Sequence, residues 1–374
     1  MNKNISIIGG STSGFLTAYL LAKEGLSIKL FEEREQIDPL PRTLVVTKYM
    51  QDLLGSLGNK AIMNKIHHFE LFTDGRSATI SLKNPDLVIE RSKLIHELAA
   101  ESENAGVALL TGMRFLGLKP NGKRISLSFS RNGETVEESA DILVGADGTF
   151  SKVAQSAGWP RPSAVPLNQA IVELPKDMPS HTTRVWFIPE DTPYFYWLIP
   201  HSPTHGVLGM IGDEGSDAKR VLESFLEKKR LVTTEFQNGQ IPLYTQWVPN
   251  HRQLGENHVY LVGDAACHVK VTTVGGIVTG FRGALGVAEA ILNGGSSRAF
   301  KALRRELNGH HLLRRVLNRF TQKDYNRLLE LLSPSTQDTL GLFTRDESTK
   351  LLLHLLRKQP RILLLGLRVL LTGK

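Results

Sequence analysis

The chain has 374 residues, too many for one simple core, so two domains with an appended piece are expected. Its 41% hydrophobic and 22% charged residues are ordinary for a globular protein, and its single cysteine excludes a disulfide framework and any cysteine-rich zinc or iron–sulfur site; no metal is expected. The net charge of +8 leaves an anionic ligand or a membrane surface open, but the basic residues gather near the C-terminus without a base-reading motif, so no nucleic acid is expected.

The opening is not expected to be a signal peptide, because Gly9 and Gly10 interrupt its apolar run and no cleavage-like site follows. No uncharged apolar run reaches the ~18 residues of a membrane span. Residues 5–8 form a short buried-strand run, residues 14–24 have helical spacing, and residues 28–31 form a second strand stopped by "EERE". This is a βαβ opening. The stretch from "LVIERSKL" to "VALLTG" suggests a strand end, a helix and a strand, and "GETVEESADILVGADG" ends a hairpin and enters a buried strand. Between residues 160 and 250 proline rises, and "TRVWFIP", "YFYWLIP" and "GVLGMIG" predict an antiparallel sheet. "HVYLVGDAA" returns to a buried strand, a glycine-rich turn and a helix; beyond residue 298 the chain is helical and basic. The order implies a nucleotide-binding α/β domain completed by a distant segment, with a second domain inserted.

Three turns carry candidate chemistry. "GGSTSG" sets Gly9, Gly10, Ser11, Thr12, Ser13 and Gly14 between a strand and a helix. A tight turn there aims the amides of a helix N-terminus at a pyrophosphate, and serine at the middle glycine position is small enough for close approach. Glu32 follows Gly9 by 23 residues at the end of the next strand, where a carboxylate can bond ribose hydroxyls, with Glu33 beside it. Asp147 and Gly148 end a buried strand; they read as backbone placed against a nucleotide or as an ordinary turn. In "GDAACHVKVTTVGGI", Gly263 and Asp264 precede a turn in which Gly275, Gly276 and Ile277 open a helix. Its N-terminus can stabilise negative charge on a reduced ring.

In this order and spacing the three turns resemble the FAD-dependent family of aromatic hydroxylases and geranylgeranyl reductases. The resemblance covers residues 1–295 and leans to the reductase branch through "GDAACHVKVTTVGGI", "FYWLIP" and "SKVA". It implies an α/β fold: an FAD-binding Rossmann-like domain of glutathione-reductase type, an inserted antiparallel β substrate domain and a helical C-terminal region. The expected boundaries are residues 1–160, with a small β excursion at 65–90, and 255–298 for the FAD domain, 161–254 for the substrate domain, and 299–374 for the helices. Arg42 in "PRTL" and Arg91 in "IERSKL" match the family's two arginine positions near the flavin. Cys267, His268, Val271 and Val274 stand where the branch carries glycine, phenylalanine, proline and glycine. Flavin-dependent halogenases share a Trp-x-Ile-Pro pattern, but Lys48, the nearest counterpart of their lysine, reads as a surface residue.

The resemblance implies reduction of isoprenoid or other lipid-like C=C bonds, with NAD(P)H or a reduced ferredoxin-like protein as electron donor. The alternatives are a monooxygenase or halogenase acting through a C4a-hydroperoxide, and a non-catalytic flavin- or lipid-binding protein. An isolated alkene needs a proton as well as a hydride, and Cys267 and His268 are the candidate donors; the competing readings are a small buried thiol and a hydrogen-bonded imidazole. Tyr194, Tyr196 and Trp197 are expected to line an apolar substrate tunnel or to be sheet core. The compartment is expected to be cytoplasmic. The tail "STKLLLHLLRKQPRILLLGLRVLLTGK" reads either as a basic amphipathic helix on the inner face of a membrane or as a packing helix.

Overall fold

A computed structural model describes residues 3–371; the last three residues of the tail lie outside the described part. Strand Asn4–Ile8 is buried at every position but the first because both of its faces are covered. It is the centre of a six-stranded sheet. On one side lie Ser27–Phe31 and Ala108–Leu110, and on the other Ile142–Gly145, Asn257–Leu261 and His251–Leu254. All neighbours are parallel except the edge pair His251–Leu254 with Asn257–Leu261. The chain leaves the central strand in one direction and returns on the other side of it. That topological switch opens a crevice at the carboxyl end of the sheet, beside Gly9.

The second sheet has eight strands. Five come from the expected insert: Ala164–Glu173, Thr182–Trp186, Tyr196–Pro200, His205–Ile211 and Thr233–Pro242. The other three, Thr43–Val46, Ile62–Thr73 and Arg76–Glu90, come from the front of the chain, so the excursion expected at 65–90 belongs to this sheet. Helix Ala218–Lys229 covers one face, packing Leu222 and Phe225 on Tyr196 and Leu198. A three-stranded sheet, Arg114–Asn121, Arg124–Arg131 and Glu134–Ala140, lies against the nucleotide-side core. Helix Ile277–Leu292 packs on Thr12–Lys23, and five helices from Arg298 to Leu371 complete the described chain. No described helix is long and apolar enough to cross a membrane.

Candidate functional site

The first turn is closed by close contacts. Gly9 has φ +107°, and a Cβ there would meet Ala146 O at 2.5 Å, so only glycine fits. Ser11 caps helix Thr12–Lys23, its Oγ accepting from the Gly14 N–H at 3.1 Å. The Gly10 N–H donates to Glu32 Oε2 at 2.7 Å, holding the carboxylate over the turn. Above lies a cavity of about 640 Å³, bordered by Gly9, Gly10, Ser11, Glu32, Glu33, Arg42, Arg91, Asp147 and Gly148. Arg34 and Lys152 add positive charge to its wall. Thr12, Ser13 and Gly14 do not border it: Ser13 is buried against Gly263 and Gly280.

Four expected residues converge from distant segments. Arg42 Nη2 donates to Asn238 O at 2.6 Å, and the Arg42 N–H donates to Glu90, which also caps the helix carrying Arg91. Burial lowers the pKa of both guanidiniums and raises that of Asp264; attraction between Asp264 and the two arginines opposes each shift. Asp147 accepts from Ser151 Oγ at 2.5 Å and from the Val153 N–H at 3.0 Å. It therefore spends its carboxylate on the next helix and leaves backbone to face the cavity.

The residues that follow Arg42 along the chain border a second cavity, about 120 Å³: Arg42 borders the first, and Thr43–Val46 the second. Its walls are Trp197 and Ile199 of the eight-stranded sheet, with Phe195 just before their strand, on one side and residues 273–278 on the other. Gly275, Gly276 and Ile277 thus face substrate-domain side chains, and Asp264 Oδ1 lies 3.2 Å from where a Gly276 Cβ would be. Lys270 also borders this cavity, and its ammonium pairs with Asp346, which accepts from Thr47 as well. Burial would raise the Asp346 pKa; the Lys270 charge and these hydrogen bonds hold it at about 2.

The remaining expectations need correction. Tyr196 points to the other side of its strand, stacks on Phe225 at 3.9 Å and donates to Asp191. Tyr194 precedes the strand and sits under the Arg314 guanidinium at 4.7 Å. Of the three aromatics only Trp197 borders the cavity. Cys267 and His268 border neither cavity. Cys267 packs with Tyr244, Val271, Leu303 and Leu307; burial, with the nearby Asp264 charge, pushes its thiol up to about 12. His268 is fully buried, stacked near Trp247, and its pKa falls to about 3 by burial. Its Nδ1 accepts from the Gly263 N–H at 3.2 Å, which puts the proton on Nε2, 2.6 Å from the Asn250 amide. Asn250 Oδ1 has no other partner among the described residues, so turning that amide completes the pair. Both residues hold the turn in place. Lys48 borders neither cavity. Phe195 and Ile199, which share the "FYWLIP" motif and a face with Trp197, also border the cavity; residues missed in the sequence are Lys270, Thr273 and Arg345.

An α/β sheet with a glycine turn at its switch point, a carboxylate held over that turn and a cofactor-sized cavity above it is the arrangement of a dinucleotide-cofactor protein. The FAD binding domain family model matches residues 2–293, and the chain belongs to that family. It is 25% identical to a digeranylgeranylglycerophospholipid reductase of Methanothrix thermoacetophila, over 91% of this chain and 94% of the relative. A geranylgeranyl bacteriochlorophyll reductase-like structure from Thermoplasma acidophilum superimposes with a TM-score of 0.80 at 18% identity, covering 98% of this chain and 99% of the other. The flavin-dependent halogenase CmlS superimposes with a TM-score of 0.65 at 14% identity, covering 98% of this chain and 72% of the other. The residues present fit FAD. The glycine turn would not admit a Cβ, the first cavity falls in the ~300–1,000 Å³ range of cofactor sites, and Arg42, Arg91 and Lys152 offer countercharge to a diphosphate.

Proposed function

We propose that this FAD-binding protein is an oxidoreductase that saturates C=C bonds in isoprenoid or other lipid-like substrates. The observation that carries the reading is the second cavity: apolar side chains from the eight-stranded sheet and its edge face the turn at Gly275 and Gly276, and the strand Thr43–Val46 that borders it follows directly on Arg42 of the cofactor-sized cavity. Its curated relatives named as digeranylgeranylglycerophospholipid reductases support the substrate class. Reduced FAD, when bound, supplies hydride. Glu32 is placed for the ribose, and Gly9–Ser11 with Arg42 and Arg91 for the diphosphate. Gly275, Gly276 and the N-terminus of helix Ile277–Leu292 are placed for the electron-rich edge of the ring. Phe195, Trp197 and Ile199 exclude water and hold an apolar chain. Lys270 holds a proton at Nζ in the cavity wall, and Asp346 fixes that ammonium there. NAD(P)H or a ferredoxin-like protein is the electron source in this reading.

The substrate class also gives the tail a role: we place the helix Pro360–Leu371 on an anionic membrane surface, where such substrates reside. Its outward face carries Arg361, Leu364, Leu367 and Leu371.

The test is anaerobic. FAD-loaded protein is reduced with dithionite and mixed with geranylgeraniol. Reoxidation of the flavin with a product gaining two hydrogens is the expected result. A requirement for air, with oxygen incorporated into the product, would replace the reductase by a monooxygenase. Protein that cannot be loaded with FAD would remove both.

A further inference from the structure

The walls of the second cavity are apolar with a few exceptions, and three of those are unusual. Thr183 Oγ1, Thr273 Oγ1 and Arg345 Nε are buried atoms with no hydrogen-bond partner among the described residues. Native proteins seldom leave such atoms unpaired, and each one asks for an explanation. They come from three unrelated places: Thr183 from strand Thr182–Trp186, Thr273 from the turn before Gly275, and Arg345 from the link between helices Pro334–Leu342 and Ser348–Lys358. Their convergence on one small cavity makes a ligand group the economical explanation.

Charge decides what that group is. Arg345 Nη2 lies 2.7 Å from Asp86 Oδ2, and Lys270 is paired with Asp346. Both cations of the cavity are therefore already neutralised, and a carboxylate or phosphate would meet two fixed anions without a free cation. The open groups all donate hydrogen bonds, and the threonine hydroxyls rotate to do so. Phe69, 5.5 Å from the Arg345 guanidinium, keeps one side apolar.

We propose that Thr183, Thr273 and Arg345 form a polar subsite that takes one neutral, hydrogen-bond-accepting oxygen (hydroxyl, ether or carbonyl) of an otherwise apolar substrate. This rests on the second cavity being the substrate site. The subsite makes the C-terminal region, through Arg345, a determinant of which lipid is accepted.

The experiment measures equilibrium binding to FAD-loaded protein through the perturbation of flavin absorbance. The probes are geranylgeraniol, its monophosphate, and the oxygen-free hydrocarbon of the same skeleton. The wild type should bind the alcohol about tenfold tighter than the hydrocarbon, the usual scale for hydrogen bonds that satisfy buried donors. Thr273→Val and Arg345→Met should each abolish that advantage and leave hydrocarbon affinity within about twofold, with FAD content unchanged. Thr273→Val is near-isosteric and carries the test if Arg345→Met misfolds. Equal binding of alcohol and hydrocarbon by the wild type overturns the subsite. So does an advantage that survives Thr273→Val, or a monophosphate that binds more than about tenfold tighter than the alcohol. Anaerobic turnover of the same probes is scored separately. Turnover without oxygen selectivity sinks the subsite alone, and selectivity without turnover sinks the reductase reading alone.

Discussion

Val274 and Cys267 have φ of +51° and +54°, a region that disfavours a side chain and most of all a β-branched one. Both stand where the resembling branch carries glycine. The left-handed conformation costs about 1–2 kcal/mol. Burying the valine side chain in the cavity wall returns a similar ~1.5–3 kcal/mol. The two nearly cancel, so Val274→Gly should change the thermal midpoint little. The same substitution removes an isopropyl group from the substrate cavity, so it should broaden acceptance toward bulkier chains. Thermal melts check the first half and a binding series of branched isoprenoids the second; a large fall in midpoint with unchanged selectivity would mean the valine only fills core. His268 makes the second prediction at this scale. Its native pKa of about 3 lies below the ordinary ~6.5. The unfolded chain therefore takes up a proton that the native state refuses. The stabilisation is whole above pH ~6.5 and declines by about 1.4 kcal/mol per unit as pH falls toward 3. His268→Gln should be less stable at neutral pH yet show a flatter decline between pH ~6.5 and ~4. Parallel pH profiles from urea unfolding of the two proteins would refute the assignment.

At the scale of elements, the sequence was most informative where one strand and one turn act alone. The βαβ opening, the buried strand before Asp147 and the helix after Gly276 follow from periodicity and glycine placement, and each lies where expected. The aromatic strand is less legible. Alternation along Phe195, Tyr196, Trp197, Leu198 and Ile199 shows which residues share a face. It does not show which face is the cavity, because both are apolar: helix Ala218–Lys229 covers one and the 273–278 turn the other. The turn containing Cys267 and His268 is legible in the sequence, but the direction of its side chains is not. Cys267 turns to helix Arg298–Leu317, and His268 packs where a Cβ on Gly283 would lie 2.1 Å from its ring. Direction of a side chain out of a left-handed residue is not written in spacing.

Long-range pairing sets the limit for the whole molecule. Lys270 and Asp346 meet across 76 positions, and Arg345 reaches Asp86 from the same link, beyond the residues that the family pattern covers. No local motif announces such contacts. The far helices also set up the last prediction. In helix Pro360–Leu371, Ile362, Leu365 and Val369 pack on Phe320, Tyr325 and Leu331, while Leu364, Leu367 and Leu371 are 62%, 53% and 84% exposed. Exposed leucines among Arg357, Lys358 and Arg361 are suited to an anionic interface, where each basic residue adds about 1 kcal/mol and buried apolar area adds the rest. Arg368 is engaged with Asp324, which orients the helix rather than the lipid. Truncating the tail is a poor test, because Leu365 and Val369 would leave a hydrophobic cluster behind. Replacing Leu364 and Leu367 with glutamate leaves that packed face intact. The wild type should co-sediment with phosphatidylserine vesicles and much less with phosphatidylcholine vesicles. The double variant should remain in the supernatant with full FAD content. Equal sedimentation of the two proteins would remove the membrane contact and leave the helix as packing alone.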